Sequence, residues 1–392
     1  MKRLLLSLAF CGVLFFGADA QQAKSIPHSV RMLKSTTHRT EIILPQVKGY
    51  NIYKGDFHIH TSYSDGSINP SGRVMEAWYD GLDIIAITDH YEIRKTEQRF
   101  LNFLYGYFGG KAPKAKNHLI TVKNPADADG IMVDTHHPVR EAEEAAKSLG
   151  LLVIPGTELS RESTQQGHFN ILFTKDNNAL YDIDIEKCFA NARAQGALIM
   201  HNHPGWNRTT TDKSEWQKEM YAKKWFDGVE VANGGSFGPK LVRRCVEENL
   251  FIAGGTDIHG PSCEKYSGAG LFRTMTLVLA KELTLESVRE AFDERRTMAY
   301  IGGQIIGTEQ MLRDLFLASV EIKYMGEFYD TKKKETVEKY SITNHSSLYF
   351  EIGKNRLEGN QSRIITVKKG KKPSFTVKNM WHVDGKRLSI KL

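Results

Sequence analysis

The chain is organised around the stretch Gly55-Asp56-Phe57-His58-Ile59-His60-Thr61-Ser62-Tyr63-Ser64-Asp65. If a strand spans residues 54–60, its alternation places the imidazoles of His58 and His60 on the same side of the sheet. Asp65 follows on the loop just past that strand. Two histidines and a carboxylate at one strand end are typical of a metal site, whereas two satisfied histidines on an amphipathic strand explain this stretch more simply when it is taken alone.

Six apolar runs further along the chain also fit strands, and most of them carry metal-ligand side chains at one end. The runs span residues 83–90, 151–158, 167–173, 197–204, 228–232 and 250–259. Continuous apolar character is typical of a strand that is buried on both faces. The ligand-type residues at the run ends are His90, Glu158, His203, Asp257 and His259, and His168 stands at a run start. This recurrence favours a shared metal site over isolated histidines.

Helical patterns separate most of these runs. We predict helices over residues 70–79, 138–149, 185–195, 212–225, 239–249, 285–294 and 309–317. Alternating strands and helices predict a parallel α/β fold. Ligand-type residues at strand ends favour a TIM-like barrel, because functional groups of barrels collect at that face, and seven strands fit about as well as eight. Residues 91–135 form a long insertion that is either a lid or a surface segment.

Length and composition describe an ordinary globular protein with an export signal. The chain has 392 residues, 41% hydrophobic and 25% charged. Residues 1–20 combine a basic start, an apolar run too short to span a bilayer and the cleavage site Ala18-Asp19-Ala20. A lipoprotein anchor through Cys11 is the weaker reading, because bulky Phe10 precedes that cysteine. We therefore expect an exported protein, periplasmic or extracellular, without a transmembrane segment.

The positive charge of the chain belongs to its C-terminal end. The net charge is +7, of which residues 1–20 carry +1 and residues 320–392, with 16 Lys/Arg and 8 Asp/Glu, carry +8. Residues 21–319 are therefore slightly acidic, which argues weakly against long nucleic acid as a partner. Strand-like stretches after residue 318 predict a small β-rich domain whose lysines either contact an acidic surface or are solvated loop charges. The expected organisation is signal peptide 1–20, lead-in 21–48 with a short strand at 41–44, barrel 49–317 and β-rich domain 318–392.

Cysteines take no part in the proposed chemistry. Cys188, Cys245 and Cys263 remain after cleavage, an odd number whose spacing matches no zinc motif. We expect them to be buried small hydrophobic side chains.

Nine candidate ligands converge on one end of the predicted barrel. They are His58, His60, Asp65, His90, Glu158, His168, His203, Asp257 and His259. Packed together without metal, they would bury repelling or unpaired charge, so two or three divalent cations are implied. Mixed imidazole and carboxylate ligands suit Zn, Mn or Fe better than Mg.

These residues lie in motifs that resemble the PHP (polymerase and histidinol phosphatase) superfamily. The motifs are His58-x-His60, Ser64-Asp65-Gly66, Thr88-Asp89-His90, Gly156-Thr157-Glu158, Gly167-His168, His203-Pro204 and Thr256-Asp257-x-His259. The resemblance covers roughly residues 51–296. It implies a distorted seven-stranded (β/α) barrel, a trinuclear metal site and hydrolysis of phosphate esters by a metal-activated hydroxide. The signal segment and the β-rich tail are closer to secreted members, including a phosphodiesterase branch.

The resemblance also implies how the ligands divide among the ions. His58, His60, Glu158 and Asp257 would bind one ion. Glu158 would bridge to a second ion shared with His168 and His203, and Asp65, His90 and His259 would bind the third. His201, two residues before the expected ligand, would either replace His203 or lie behind it, and we favour His203.

Three residues are candidates for the chemistry itself. Arg161, just after Glu158, is placed to bind a phosphate, because a guanidinium can do so through two hydrogen bonds. Asp65 or His201 would protonate the leaving oxygen, and the sequence leaves the choice open.

Three functions remain in competition. The first is an exported phosphoesterase acting on a small phosphodiester or phosphomonoester. The second is a metallohydrolase that cleaves amides or other esters on the same barrel, because a fold does not fix a reaction. The third is a noncatalytic protein that binds an envelope surface, against which the complete ligand set argues.

Overall fold

The structure is a computed structural model that describes residues 38–107, 109, 133–161, 165–180 and 182–392. The predicted signal segment and the middle of the 91–135 insertion lie outside the described residues. No helix in the described ranges is both long and apolar enough to cross a membrane.

Strands dominate the described part of the chain. They are β1 (Asn51–Asp56), β2 (Ile84–Ile87), β3 (Leu152–Arg161), β4 (Gly167–Leu172), β5 (Leu198–His201), β6 (Gly228–Asn233), β7 (Ser236–Phe237), β8 (Phe251–Gly255), β9 (Met275–Ala280), β10 (Thr297–Ile301), β11 (Gln304–Ile306), β12 (Val320–Asp330), β13 (Glu335–Asn344), β14 (Phe350–Ile352), β15 (Asn355–Leu357), β16 (Ser362–Lys368), β17 (Ser374–His382) and β18 (Lys386–Lys391).

Helices cover the connections between many of these strands. They are α1 (Pro70–Tyr79), α2 (Lys95–Tyr107), α3 (His137–Ala146), α4 (Ile185–Ala194), α5 (Glu215–Ala222), α6 (Leu241–Glu247), α7 (Ser262–Lys265), α8 (Leu285–Asp293) and α9 (Glu309–Ser319). Five of the seven predicted helices are shorter than predicted. Helix α5 begins after Ser214, whose hydroxyl accepts from the backbone N–H of Gln217 in a capping box, and not at residue 212.

The main sheet is mixed, which corrects the prediction of a parallel sheet. Its order is β15-β14-β17-β11-β10-β9-β1-β2-β3-β4-β5-β6-β7, with β18 on β17 and β8 on β6. Strands β1, β2 and β3 are parallel, but β4 runs antiparallel to both β3 and β5. Only residues 162–166 separate β3 from β4, too few for the crossover that a parallel pair needs. The start of β4 therefore lies at the same edge as the end of β3.

The first strand ends earlier than predicted, at Asp56 and not at residue 60. The Asp56 carboxylate accepts hydrogen bonds from the backbone N–H groups of His58 (3.2 Å) and Thr256 (3.0 Å), in place of a regular strand ladder. The segments after β1 and β8 nevertheless continue side by side, because His60 N–H donates to the Ile258 carbonyl at 3.1 Å. Alternation thus persists beyond the strand, and His58 and His60 still point the same way.

The predicted strand at residues 41–44 does not form. Its backbone bonds to a loop, since the N–H of Ile43 donates to the Ser347 hydroxyl at 2.8 Å and the Ile43 carbonyl accepts from the Ser347 N–H at 2.8 Å.

Alternate residues of the central strands enter different hydrophobic clusters. Ile84 and Ala86 of β2 pack with Phe57 and Phe251, whereas Ile85 and Ile87 pack in another cluster with helices α1 and α3. All four residues of β2 are buried, so the predicted burial of this run on both faces is confirmed.

The strands after residue 318 form two sheets. Strands β12, β13 and β16 make a separate antiparallel sheet. Strands β14, β15, β17 and β18 instead extend the main sheet through the parallel pair β11–β17. Val377 and Leu388 share a hydrophobic cluster with Leu277 and Met298, so the two parts of the chain bury apolar surface together.

A buried charge network lies behind the first strand. Arg273 is fully buried, and its guanidinium contacts Asp56 at 2.8 Å and Asp80 at 3.4 Å. Two carboxylates around one guanidinium compensate charge that would otherwise be buried alone.

We expect Arg273→Ala to lower the free energy of unfolding by about 3–5 kcal/mol, because it leaves Asp56 buried without its cation. Urea denaturation followed by circular dichroism measures the loss. The control is Lys218→Ala on the surface of α5, for which a change within about 0.5 kcal/mol is expected. Equal stability of the two variants would contradict the role of the network.

The cysteines differ in burial. Cys188 and Cys245 are buried, as predicted, and Cys263 is half-buried. Burial raises the pKa of the Cys245 thiol to about 12.

Since the thiolate is the reactive form, we expect Cys263 to react with iodoacetamide at pH 8 before Cys245 does. Peptide mass spectrometry with and without urea measures the order, and labelling of Cys245 in folded protein at the rate of Cys263 would contradict it.

Candidate metal centre

Glu158 is the central residue of the candidate site. It lies on β3 and its side chain is fully buried. Its carboxylate oxygens lie near imidazole nitrogens of five histidines: His90 (2.7 Å), His168 (3.3 Å), His58 (3.4 Å), His60 (3.6 Å) and His203 (3.6 Å). The structure therefore gathers these six predicted ligands around one carboxylate.

The remaining three predicted ligands lie on one flank of this group. Asp257 Oδ1 is 3.0 Å from His60 Nε2 and 3.3 Å from His58 Nε2. Asp65 is 3.1 Å from His259 Nε2 and 3.6 Å from His90 Nε2. All nine predicted ligands are thus part of one cluster.

Subsets of this cluster have the spacing that metal ions need. Four groups have donor atoms within 4.8 Å of one another: His60-Asp65-His90-His259, His58-His60-Glu158, Glu158-His168-His203 and His58-His203-Glu230. The first three resemble the predicted division of ligands among three ions.

Unpaired imidazole nitrogens show that the donor set fits a cation. Within the described residues, no hydrogen bond reaches Nε2 of His58 or either ring nitrogen of His60, although all three atoms are buried. Buried nitrogens without a partner are destabilising unless their lone pairs bind something. Nitrogen and carboxylate donors facing one another at 3.0–3.7 Å are suited to divalent ions between them.

The pKa shifts of the buried histidines and carboxylates also indicate that their charges need compensation. Burial lowers the pKa of His58, but Asp257, Glu230 and Glu158 outweigh it, so the pKa is raised well above its usual value. Burial raises the pKa of Glu158, but His90 and His58 hold it well below its usual value. Without metal, the site keeps its carboxylates ionised by holding protons on histidines, and bound cations would replace those protons.

Backbone conformation directs two of the ligands. His203 has a φ of 25° and Asp257 a φ of 51°, in the sparsely populated left-handed region. Such strain, of order 1–3 kcal/mol per residue, is typical of functional sites.

His201 does not join the cluster. Along β5, Leu198 and Met200 enter one hydrophobic cluster and Ile199 enters another, so His201 points with Ile199 towards the helix side. Its Nδ1 lies 2.8 Å from the Tyr221 hydroxyl, and burial holds its pKa well below the usual value. The positive φ of His203 breaks the alternation and turns that imidazole to Glu158, so His203 and not His201 lies with the ligand group.

Arg161 is the predicted phosphate-binding residue, and Trp206 and Arg208 lie on the loop just after His203. Arg161 ends β3, but its side chain lies outside the described residues. The Trp206 ring lies 4.6 Å from the His168 ring, and Arg208 contacts Gln217 at 3.5 Å.

Glu230 was missed by the sequence analysis. It is buried on β6 and accepts from the His203 N–H at 2.9 Å, while its Oε1 lies 3.0 Å from His58 Nδ1. This contact orients the imidazole and leaves Nε2 facing Asp257 and Glu158. A single carboxylate within the apolar run Gly228-Val229-Glu230-Val231 was the available signal.

Arg73 on α1 was also missed. Its buried guanidinium donates to the carbonyls of His60 (2.8 Å), Ile258 (3.2 Å), His259 (2.8 Å) and Gly260 (2.7 Å). It thereby joins the two segments that carry four of the predicted ligands. An arginine on an amphipathic helix gave no signal for this, because such residues usually face solvent.

Asp89 supports the loop between His60 and Asp65. Its carboxylate accepts from the Thr61 N–H, the Thr61 hydroxyl and the Ser64 hydroxyl, each at 2.6 Å. Charge-assisted bonds of this length fix the position of Asp65 relative to His60.

Comparison with known proteins gives an extensive match. The family model of the PHP domain matches residues 56–242. The crystal structure of a two-domain protein from Bacteroides vulgatus ATCC 8482, containing a predicted PHP-like metal-dependent phosphoesterase, is 32% identical with a TM-score of 0.77. The match covers 91% of this chain and 99% of that chain. No curated protein matches.

Two further solved structures are more distant. An amidohydrolase from Chromobacterium violaceum is 14% identical, with a TM-score of 0.38, and the match covers 62% of this chain and 97% of that chain. The lesion-specific endonuclease PfuEndoQ from Pyrococcus furiosus is 15% identical, with a TM-score of 0.37 and coverage of 66% and 59%. Both likenesses are too weak to bear on activity.

We expect His58→Ala and Asp257→Ala each to lose bound metal and activity while the fold survives, because each removes a donor from the buried group around Glu158. Metal content by plasma mass spectrometry and folding by circular dichroism test this. His345→Ala, an exposed histidine 58% accessible, is the control and should keep its metal. Full metal content in either site variant would contradict the assignment.

Proposed function

Since this chain belongs to the PHP family of metal-dependent phosphoesterases, we propose that it hydrolyses phosphate esters at the centre around Glu158. The single observation that carries the proposal is the buried carboxylate with five histidines around it, two of which have ring nitrogens that no hydrogen bond from the described part of the chain reaches. That donor set suits two or three divalent ions, and it favours Zn, Mn or Fe over Mg.

The residues divide the work of holding the ions. We assign His58, His60, Glu158 and Asp257 to one ion, Glu158, His168 and His203 to a second, and Asp65, His90 and His259 to a third. Bound divalent ions supply Lewis acidity, which lowers the pKa of water and polarises a phosphoryl oxygen. Asn202 donates to Glu158 Oε1 at 2.7 Å and holds the carboxylate in place.

Burial raises the pKa of Asp65, but the hydrogen bond from His259 and the charges of His90 and His60 lower it to about 2. Asp65 is therefore kept as an ionised ligand and is not assigned proton transfer to the leaving oxygen. Its side chain is 21% exposed, so its carboxylate is open to solvent and substrate, whereas Glu158 is sealed off. His201 receives no step, because its ring lies on the helix side of β5. Arg161, three residues beyond Glu158, remains the proposed phosphate-binding residue.

Three finer features are part of the proposal. Strands β1 to β6 and β8 are assigned to a distorted seven-stranded barrel, supported by the bridge between Ile59 and Ile258 next to β1 and β8. The basic start and apolar run of residues 1–20 support export. The domain boundary at residue 318 and a surface contact by the basic lysines beyond it rest on sequence alone.

We expect chelator-stripped protein to regain activity when Mn, Zn or Fe is added back. The restored protein should hydrolyse the diester bis-nitrophenyl phosphate faster than the monoester nitrophenyl phosphate. The reason is that substrate activation needs the cations that the ligand group selects. Absorbance of released nitrophenol measures turnover, and Asp257→Ala with the same metal is the control. Monoester preference would make the protein a phosphatase. No turnover of either ester while metal binds would reject phosphoesterase activity and favour amide or other ester hydrolysis.

A further inference from the structure

A cavity next to the metal centre has one polar wall and one apolar wall. Its volume is about 330 Å³. His203, Glu230 and Asn233 form a polar wall, and Trp206, Phe237 and Leu241 contribute apolar surface. We propose that this cavity, named here the aromatic pocket, binds the alcohol part of the ester and selects a flat, uncharged aromatic group. The inference rests on the proposed phosphoesterase function.

The aromatic pocket and the metal centre share residues. His203 lines the pocket, and its Nε2 lies 3.6 Å from Glu158. Asn233 Nδ2 lies 3.0 Å from Glu230 Oε2 and 3.4 Å from Asp257 Oδ2. An ester whose phosphoryl group lies among the ligands therefore has the pocket directly next to one of its oxygen substituents.

Trp206 is held over the ligands while remaining half exposed. Its ring centroid is 4.6 Å from that of His168 and 5.9 Å from that of His203. The backbone at Trp206 is held in a turn, because the Trp206 backbone N–H donates to the His203 carbonyl at 2.9 Å and Gly205 adopts a φ of 97°. A single exposed aromatic side chain is ordinary on a protein surface, but one that is fixed against two candidate ligands and lines a cavity is a contact surface for a ligand ring.

Phe237 supplies a second ring from another loop. It lies on β7, where Ala232 pairs with it, and its ring packs edge-on against Trp381 at 5.3 Å. Leu241, the first residue of α6, is buried beneath it. Two fixed aromatic side chains are preorganised to contact a flat ring without much loss of side-chain entropy.

Size and charge narrow the ligand further. A volume of 330 Å³ is near the lower limit of small-molecule sites, so the pocket suits a ring system and not a long chain. Within the described residues, no lysine or arginine lines it, and its one carboxylate, Glu230, is already bonded to His203 and Asn233. A second phosphate would therefore have no counter-charge there, whereas a neutral ring needs none.

The test compares benzyl phosphate with propyl phosphate, or their methyl diesters if diesters are the better substrates. Benzyl and propyl alcohol are similar leaving groups, so a difference in kcat/KM reports binding of the ring. We expect the metal-loaded protein to favour the benzyl ester by roughly tenfold, and Trp206→Ala to abolish the preference mainly through KM. Trp206→Phe should retain the preference, because it keeps an aromatic ring in the pocket.

Controls separate the pocket from the reaction. Tyr329→Ala removes an aromatic side chain that is 65% exposed on β12 and should leave the preference unchanged. Calorimetry with benzylphosphonate and propylphosphonate, which are not hydrolysed, measures the same preference as binding to metal-loaded protein. Hydrolysis with equal kcat/KM for both esters, or the same preference in Trp206→Ala, would overturn the pocket while phosphoesterase activity stands. Absence of hydrolysis would reject that activity, and equal affinity for the two phosphonates would then reject the pocket as well.

Discussion

The burial of one carboxylate, Glu158, is the constraint on which the rest of the structure depends. An ionised carboxylate without solvent is strongly destabilising unless it is paired. Five histidines compensate it, and they come from β4 and from the segments after β1, β2 and β5. Glu158 lies on β3, the middle strand in the order β1-β2-β3-β4-β5, so the sheet supplies ligands symmetrically from both sides. The strand order therefore determines which ligand-type residues surround Glu158.

Charged side chains replace the sheet ladder where the ligands leave it. Asp56 accepts hydrogen bonds from backbone N–H groups that follow β1 and β8. Asp89 accepts from the loop after His60, and Arg73 donates to the carbonyls of His60 and His259. Backbone groups buried at strand ends need partners, and ionised side chains make stronger ones than neutral groups do. These residues are not candidate ligands, yet they set the positions of the residues that are.

The sequence predicted which ligand-type residues lie together better than it predicted the strands. Apolar runs that are buried on both faces and end in polar residues are a strong local signal, so His90 and Glu158 were predicted at the edge where they lie. The antiparallel direction of β4 depends on the short β3–β4 connection, which the strand pattern alone does not express. The separation of His201 from His203 depends on a positive φ at His203, and no residue pattern reports that angle. Arg73 was invisible because its partners are backbone carbonyls distant in the sequence.

The strands beyond residue 318 support the open side of the centre. Strand β17 pairs with β11, and Trp381 on β17 packs against Phe237, which lines the aromatic pocket. Asp384 accepts from Arg243 on α6 at 2.6 Å, so the helix that begins with Leu241 is also joined to this part of the chain. Loops next to an active site are usually the least restrained part of a fold, because few contacts cover them. Here their outer contacts come from the C-terminal strands, and the wall of the aromatic pocket is thereby fixed relative to Glu158.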